Sequence, residues 1–262
     1  MSGKLAGWTA LVTGASSGLG ADFARVLAAD GATLILVARR AEALTQQAEE
    51  IRSRHGTRVE VLPADLADPA ARAALPARLA TVGLEVDILV NNAGFGVFGN
   101  FADSDWSRVA QMLEVDVVAL THLTHLFLPG MRARRRGRVL LVASTAAFQP
   151  TPNYAVYAAS KAYVLSFGVA LNQELRGSGV NVTTLSPGVT RTEFHLVSGQ
   201  RSNRFVERTA MSSEAVARIG IRALLAGRTG VVAGVGNAAL AASTRLAPRS
   251  LAAALAARIM RE

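Results

Sequence analysis

Thr13-Gly14-Ala15-Ser16-Ser17-Gly18-Leu19-Gly20 follows a short apolar run, Trp8 to Val12, and opens a stretch in which Phe23, Val26 and Leu27 recur at helical spacing. That order spells a buried strand, a glycine-rich turn and a helix. Gly14 lets the chain turn sharply after the strand. Gly18 removes a side chain where backbone has to approach a pyrophosphate, and Gly20 permits close contact between helix and strand. The helix then meets an anion with its unpaired N–H groups. The stretch therefore predicts a dinucleotide-binding turn, with a ligand-free βα turn as the alternative that a lone glycine motif always leaves open.

Outward from this turn the chain alternates. Apolar runs at Ala10–Val12, Thr33–Val37, Val59–Leu62, Val86–Val90, Val139–Val142, Val180–Leu185 and Val231–Ala233 read as strands. Amphipathic stretches at Glu42–Arg54, Ala70–Thr81, Trp106–Leu128, Val156–Arg176 and Ser213–Ala226 read as the helices between them. Apolar strands alternating with helices predict an α/β fold: one doubly wound (Rossmann) parallel sheet of about seven strands with helices on both faces. With 262 residues, half of them hydrophobic, the chain is expected to form one domain over 1–262. The stretch 193–210 has no clean period and is expected to be a substrate lid, with a helical tail over 237–262.

Composition narrows the classes. Zero Cys excludes a disulfide framework, and Met1 to Gly7 carries no apolar leader, so a cytoplasmic location is expected. The uncharged run between Arg228 and Arg245 is too short and too weakly apolar to span a bilayer. A net charge of +9 is spread along an Arg- and Ala-rich chain, and the run Arg132, Arg134, Arg135, Arg136 and Arg138 is expected to be a solvated loop. No aromatic residues are interleaved with it, so a nucleic-acid partner is not expected. His122 and His125 lie three apart with no third ligand in sight, and no metal is expected.

The end of the second strand bears on the cofactor. A carboxylate there, about 20 residues after the glycine motif, would bond the ribose 2′-hydroxyl of NAD. This chain has Ala38, Arg39 and Arg40. Arg39 can form charge-assisted bonds to a 2′-phosphate and stack on adenine, which points to NADP(H). Asp65, beside Leu66 after the third strand, either accepts from the adenine amino group or serves as a turn or cap residue. Asn91-Asn92-Ala93-Gly94 ends the fourth strand, where the amides can bond neighbouring backbone and Ala93-Gly94 let that backbone lie flat against a ligand.

Tyr157 and Lys161, four apart in a helical pattern, project from one face, and Ser144 ends the fifth strand at the ligand-binding edge of such sheets. An ammonium beside a phenol favours phenolate and makes proton exchange feasible. Ser144 can then hydrogen-bond a substrate oxygen.

With these residues in hand the chain closely resembles the short-chain dehydrogenase/reductase family from about Gly7 to about Thr192, and more loosely to the seventh strand. The motifs, in the family's order, are Thr13-Gly14-x-x-x-Gly18-x-Gly20, Asn91-Asn92-Ala93-Gly94, Ser144, Tyr157-x-x-x-Lys161 and Pro187-Gly188-x-x-x-Thr192. The resemblance implies an NADP(H)-dependent oxidoreductase that passes hydride between nicotinamide and a carbonyl or alcohol carbon. It implies that Tyr157 is the general acid, that Lys161 also holds the nicotinamide ribose, and that Val189 backbone and Thr192 contact the carboxamide. The cofactor set expected from motif and resemblance is Gly14, Ser16, Ser17, Gly18, Leu19, Gly20, Arg39, Asp65, Leu66, Asn92, Ala93, Gly94, Tyr157, Lys161, Pro187, Gly188, Val189 and Thr192. A homodimer or homotetramer built on the long helices around the fifth strand is likewise implied.

One position departs from the family. In Glu114-Val115-Asp116-Val117 an aspartate stands where the pattern usually has Asn. Asp116 can keep the backbone geometry of the family's water relay, but its charge is new. At about 6 Å from Lys161 it would interact by roughly 3 kcal/mol at an effective dielectric of 20. It is also the one feature that favours the alternative of an NADP(H)-binding sensor or scaffold with little turnover.

Phe95, Phe98, Phe148, Tyr154 and Phe194 flank these positions and are expected to build an apolar wall for an apolar or acyl-type small-molecule substrate. In the tail, Leu251, Leu255 and Ile259 recur every four residues as an amphipathic stripe. The stripe is expected to cover the substrate side or a subunit contact, with peripheral lipid contact as the minor alternative.

Overall fold

The protein is seen in a computed structural model that describes residues 3–200 and 210–261. Seven strands form one parallel sheet: β1 (Thr9–Thr13), β2 (Thr33–Ala38), β3 (Val59–Pro63), β4 (Ile88–Asn91), β5 (Gly137–Val142), β6 (Val180–Ser186) and β9 (Gly230–Val232). Their spatial order is β3-β2-β1-β4-β5-β6-β9. The chain thus winds one way from β1 to β3, returns to the middle at β4 and winds the other way. A crevice opens at the carboxyl ends of β1 and β4, where that direction switches. All seven predicted strands are present. A further two-residue pairing, β7 (Thr190–Arg191) with β8 (Met211–Ser212), is too short to leave a sequence pattern.

Strand alternation divides the interior in two. Val12, Leu34, Leu36 and Leu140 face Phe23 of α1 (Gly18–Ala29), Leu44 of α2 (Ala41–His55) and Ile221 of α8 (Ser213–Leu225). Leu11, Ile35, Leu89 and Leu141 face Leu75 of α3 (Pro69–Thr81), Leu123 of α5 (Leu120–Ala133) and Val164 of α6 (Ala155–Glu174). A sheet buried on both faces needs apolar residues at successive positions, which is why its strands read as continuous apolar runs. Helix starts follow capping chemistry. Asp68 accepts from Ala70 N ahead of Pro69, and Asp105 from Ser107 N ahead of α4 (Trp106–Leu113).

α4 continues through a π-helical turn, Glu114–Ala119, into α5. The resulting 28-residue helix is long and apolar enough to cross a membrane by length and composition. Here it lies on the sheet, with Val109, Met112, Leu120, Leu123, Phe127 and Met131 buried.

Two expectations are corrected at the periphery. The Arg run is not a solvated loop. Arg134 bonds Glu85 and the Val86 carbonyl, Arg135 the Gly177 carbonyl and Arg138 the Leu224 carbonyl, and Arg136 lies over the Trp8 ring at 4.3 Å while pairing with buried Asp87 at 3.3 Å. These four guanidinium groups find a carbonyl, carboxylate or ring at the amino edge of the sheet, which charge counting along the sequence cannot reveal, while Arg132 is exposed as expected. In the tail, α9 (Arg249–Arg261) buries two of its five alanines, Ala252 and Ala256, and leaves Leu251 and Leu255 about half exposed. The leucine stripe therefore does not cover the substrate side. The side chain of Ile259 lies outside the described residues.

Candidate active site

The carboxyl ends of β1 and β4 are tied together by Thr13. Its Oγ1 donates to the Val90 carbonyl (3.2 Å) and accepts from the N–H groups of Asn92 (2.9 Å) and Ala93 (3.0 Å). Asn92 Nδ2 donates back to the Thr13 carbonyl at 2.9 Å. Asn91 is turned inward, donating to Thr124 Oγ1 (2.9 Å) and the Leu120 carbonyl (3.3 Å). The glycines answer to this packing. Gly14 has φ +64°, and a Cβ there would lie 2.9 Å from Asn92 Nδ2; a Cβ on Gly20 would lie 2.1 Å from the Gly14 carbonyl oxygen. Ser17 occupies the N-cap of α1 without capping it. The first N–H groups of that helix therefore face the cleft without the usual side-chain acceptor.

From this turn an open cleft of about 600 Å³ runs along the sheet edge. At one end lie Arg39, Arg40, Asp65 and Leu66; in the middle Ser16, Gly18, Leu19, Asn92, Ala93 and Gly94; at the other end Ser144, Tyr157, Lys161, Pro187, Gly188, Val189 and Thr192. Every residue expected to hold the cofactor thus lines one continuous space. Arg39 is exposed on that lining, whereas Arg40 is tied down: it donates to Ser16 Oγ (3.2 Å) and Ser17 Oγ (2.7 Å) and pairs with Glu193 at 3.2 Å. Ser17 and Arg40 hold the Glu193 carboxyl below the usual carboxylate range. For Asp65 the turn reading holds, since its Oδ1 accepts from Ala67 N at 3.0 Å. Thr192 Oγ1 accepts from Phe194 N (3.2 Å), and the Val189 carbonyl from Met211 N (3.0 Å).

Ser144 starts a short 3₁₀ turn, Thr145–Phe148, with its Oγ accepting from Ala146 N at 3.1 Å. It stands on the Tyr157 side of the cleft, where it favours the ionised form of that phenol. Tyr157 and Lys161 stand one turn apart on α6, and Lys161 Nζ lies 5.6 Å from the centre of the Tyr157 ring. Nζ donates to the Val142 carbonyl at 3.3 Å and is itself buried.

Asp116 lies closer than expected, its Oδ2 only 3.1 Å from Lys161 Nζ rather than about 6 Å. The π-helical turn is the cause: the extra residue swings Asp116 under Gly94, where Oδ1 accepts from Phe95 N at 3.0 Å. A Cβ on Gly94 would lie 2.8 Å from Oδ1, so the Asn92-Ala93-Gly94 turn and Asp116 are packed as one unit. Complete burial pushes the Asp116 carboxyl above its ordinary range, and Lys161 and the Phe95 N–H pull it back only in part. Tyr157 is raised well above an ordinary phenol, first by desolvation and then by the nearby Asp116; the Ser144 hydroxyl opposes this.

Beyond Tyr157 the cleft is walled by Tyr154, Phe194 and Phe95. Tyr154 lies 5.4 Å from Tyr157 ring to ring, and 5.1 Å from Phe98, which lines a neighbouring recess. Phe148 is not part of the lining, a correction to the expected wall: the 3₁₀ turn that carries it contributes Thr145 and Ala146 instead. The Tyr154 hydroxyl hydrogen-bonds Ser198 Oγ (2.8 Å) and Gln200 Oε1 (3.0 Å), and burial pushes it up to about 12. This ties the helix α7 (Phe194–Ser198) to the start of α6. The rest of the expected lid, 201–209, lies outside the described residues. His122 accepts from Arg72 Nε at 3.4 Å, a structural contact. Arg108 and Gln111 of α4 also line the cleft. In the sequence an arginine and a glutamine on an amphipathic helix look like its solvated face, and nothing local marks them as lining a cleft.

The geometry agrees with what comparison shows. Residues 8–202 match the family model described as short chain dehydrogenase. The chain is 35% identical over 184 residues to the ketoacyl reductase HetN of Nostoc, a match covering 70% of this chain and 64% of that protein. It is 37% identical over 180 residues to a very-long-chain 3-oxoacyl-CoA reductase of Phaeosphaeria nodorum, covering 67% of this chain and 53% of that one. The chain thus spans less than two thirds of the length of these two relatives. A solved short-chain dehydrogenase from Sphingobium yanoikuyae in complex with NADPH superposes with a TM-score of 0.83 at 31% identity, covering 93% of this chain and 94% of that one. This chain belongs to the short-chain dehydrogenase family.

Proposed function

We propose that this chain is an NADP(H)-dependent oxidoreductase acting between a carbonyl and an alcohol on an apolar or acyl-type substrate. The observation that carries this reading is the convergence of Ser144, Tyr157 and Lys161 at one end of a cleft that runs past a glycine-rich turn to two arginines at its other end. The turn fits a dinucleotide: positive φ at Gly14 and Gly18, no room for a Cβ on Gly20, and a helix N-terminus that its own N-cap leaves open. The relatives named as ketoacyl and 3-oxoacyl-CoA reductases, and the neighbour solved with NADPH, support the same assignment.

Bound in the cleft, the nicotinamide would supply or accept hydride at the substrate carbon. The protein does the rest. Ser144 donates to the substrate oxygen, and Tyr157, a phenol that burial and Asp116 raise further above its ordinary range, gives its proton to that oxygen during reduction. Lys161 favours the tyrosinate left behind: at 5–6 Å a unit charge contributes about 3 kcal/mol at an effective dielectric of 20. Arg39, with Arg40 and Ser16 beside it, would receive the 2′-phosphate. Phe95, Tyr154 and Phe194 would exclude water around the carbonyl, with 193–210 as the closing lid over a single domain.

We further propose a cytoplasmic homo-oligomer. Val118 on the helix before β5 and Tyr163 and Val169 on α6 are exposed apolar groups on the two helices flanking that strand. The test of the function is turnover of NADPH with a panel of 3-oxoacyl thioesters, ketones and aldehydes. Activity on at least one class is the expected result, and binding of NADPH without turnover of any would refute it.

A further inference from the structure

Most charges along the cleft are already engaged. Asp116 faces Lys161, Arg40 faces Glu193, and Asp65 closes its own turn. Arg39 stands at the adenosine end. On the substrate side, where Phe95, Tyr154, Phe194 and Val197 make an apolar wall, Arg108 is the cation that the described residues place on the lining away from the Lys161–Asp116 pair.

Arg108 projects from the first turn of α4, and Gln111, three residues on, lines the same space. Its guanidinium donates through Nη2 to the Val197 carbonyl of α7 and lies 5.9 Å from the centre of the Phe95 ring. No carboxylate pairs with it among the described residues. The acids nearest in sequence are committed elsewhere: Asp105 accepts from both the N–H and the hydroxyl of Ser107 at 2.9 Å, and Glu114 pairs with Arg72 at 2.7 Å. Asp103 lines the adjoining recess but forms no ion pair with Arg108. A planar fork with five N–H donors, one of them on a lid carbonyl and its plane near an aromatic ring, keeps donors for a bidentate oxyanion. Walls of this polarity also decide where charge is tolerated. An anion placed against Phe95 or Phe194 alone would lose its hydration without return, whereas at Arg108 it is compensated.

Resting on the oxidoreductase reading, we propose that the substrate carries an anionic group, carboxylate, sulfonate or phosphate, remote from its reacting carbonyl, and that Arg108 binds it beneath α7. Arg108 is then a specificity residue: it acts on which carbonyl compound is held and takes no part in proton transfer.

The experiment uses straight-chain keto acids of increasing length, each paired with its methyl ester, as substrates of the full chain with NADPH. Acid and ester share the carbonyl and the apolar spacer and differ in one charge. The unmodified protein is expected to favour the acid over its ester by about 10- to 100-fold in kcat/KM at the best chain length, the range of one charge-assisted contact. Added salt should erode that preference through the KM of the acid. Arg108→Gln should bring the acid-to-ester ratio near one, and Arg108→Lys should restore part of it. If Arg108→Gln lowers acid and ester turnover in the same proportion, Arg108 only tethers α7 and the anion site is refuted. If esters and neutral ketones are reduced without any preference for the acid, the anion site falls and the oxidoreductase reading stands. Turnover of neither series, nor of any neutral ketone, removes both.

Discussion

The two edges of the sheet each bury a carboxylate against cations, and they do opposite things with it. At the amino edge Asp87 accepts from Thr9 N at 3.0 Å and from Arg136 at 3.3 Å, with Arg134 3.9 Å away. Both arginines remain partly exposed. At the carboxyl edge Asp116 is wholly buried, takes one N–H bond from Phe95, and turns its other oxygen to a single buried ammonium. The first carboxylate is surrounded by donors and holds strands together. The second is short of donors, so its charge spreads to the neighbouring titratable group, Tyr157. The number of hydrogen bonds to a buried acid, more than burial itself, separates a fastening from a chemical group.

The largest effect should come from removing one atom at the carboxyl edge. Tyr157→Phe keeps the ring against Tyr154 and Phe194 and loses only the hydroxyl. Turnover should fall by about 10²- to 10⁴-fold with NADPH affinity and unfolding midpoint nearly in place. Tyr154→Phe should act chiefly on KM, because its hydroxyl bonds reach Ser198 and Gln200 rather than the cofactor end of the cleft. Equal losses in kcat for the two would place the proton donor elsewhere.

At the amino edge the same kind of deletion should cost stability and spare catalysis. Asp87→Ala strips partners from Thr9 N, Arg134 and Arg136, and should lower unfolding free energy by about 3 kcal/mol in denaturant titration. kcat should stay close to that of the unmodified protein, since Asp87 lies at the opposite end of β4 from Asn91 and Asn92. A kcat that collapses while the protein stays folded would break the division between the edges.

Cofactor preference is a smaller effect. Arg39→Asp should reverse a preference for NADPH over NADH that is worth about 1.5–3 kcal/mol in binding. Arg40→Ala sharpens the assignment: Arg40 already bonds Ser16, Ser17 and Glu193, so its loss should weaken both nucleotides through the loop. A selective loss of NADPH in Arg40→Ala, with Arg39→Asp neutral, would move the phosphate grip by one residue.

What could be read from residue order is what depends on local pattern. β1 to β6 and β9 are apolar runs bounded by turns, and Tyr157 with Lys161 is a helical spacing. What could not be read depends on neighbours distant in the chain. Arg136 looks solvated until Trp8 and Asp87 are placed beside it. Arg108 looks like an outer helix face until α7 folds across it. Leu251 and Leu255 look like a docking stripe, yet Ala252 and Ala256 are the residues small enough to lie against the body of the protein. The π-helical turn at Glu114–Ala119 has no composition of its own, yet it carries Asp116, whose carboxylate lies 3.1 Å from Lys161.

That turn sets the finest test. Burial raises Asp116, so it is charged most fully on the alkaline side, which is where alcohol oxidation needs Tyr157 deprotonated. A second negative charge beside a forming tyrosinate is unfavourable, so the tyrosine proton leaves later than Lys161 alone would dictate. Reduction uses the protonated tyrosine and is indifferent to this delay; oxidation must wait for it. Oxidation should therefore require a more alkaline pH than reduction. Asp116→Asn retains an oxygen for the Phe95 N–H and removes the charge, so the acidic limb of the oxidation profile should move down by about one pH unit, equivalent to about 1.4 kcal/mol, while the reduction profile near neutrality holds its place. Matched kcat/KM–pH profiles in both directions for the two proteins measure it. Superimposable oxidation curves would show that the carboxylate stays protonated across the working range, and the carboxyl edge would then differ from the amino edge in burial but not in charge.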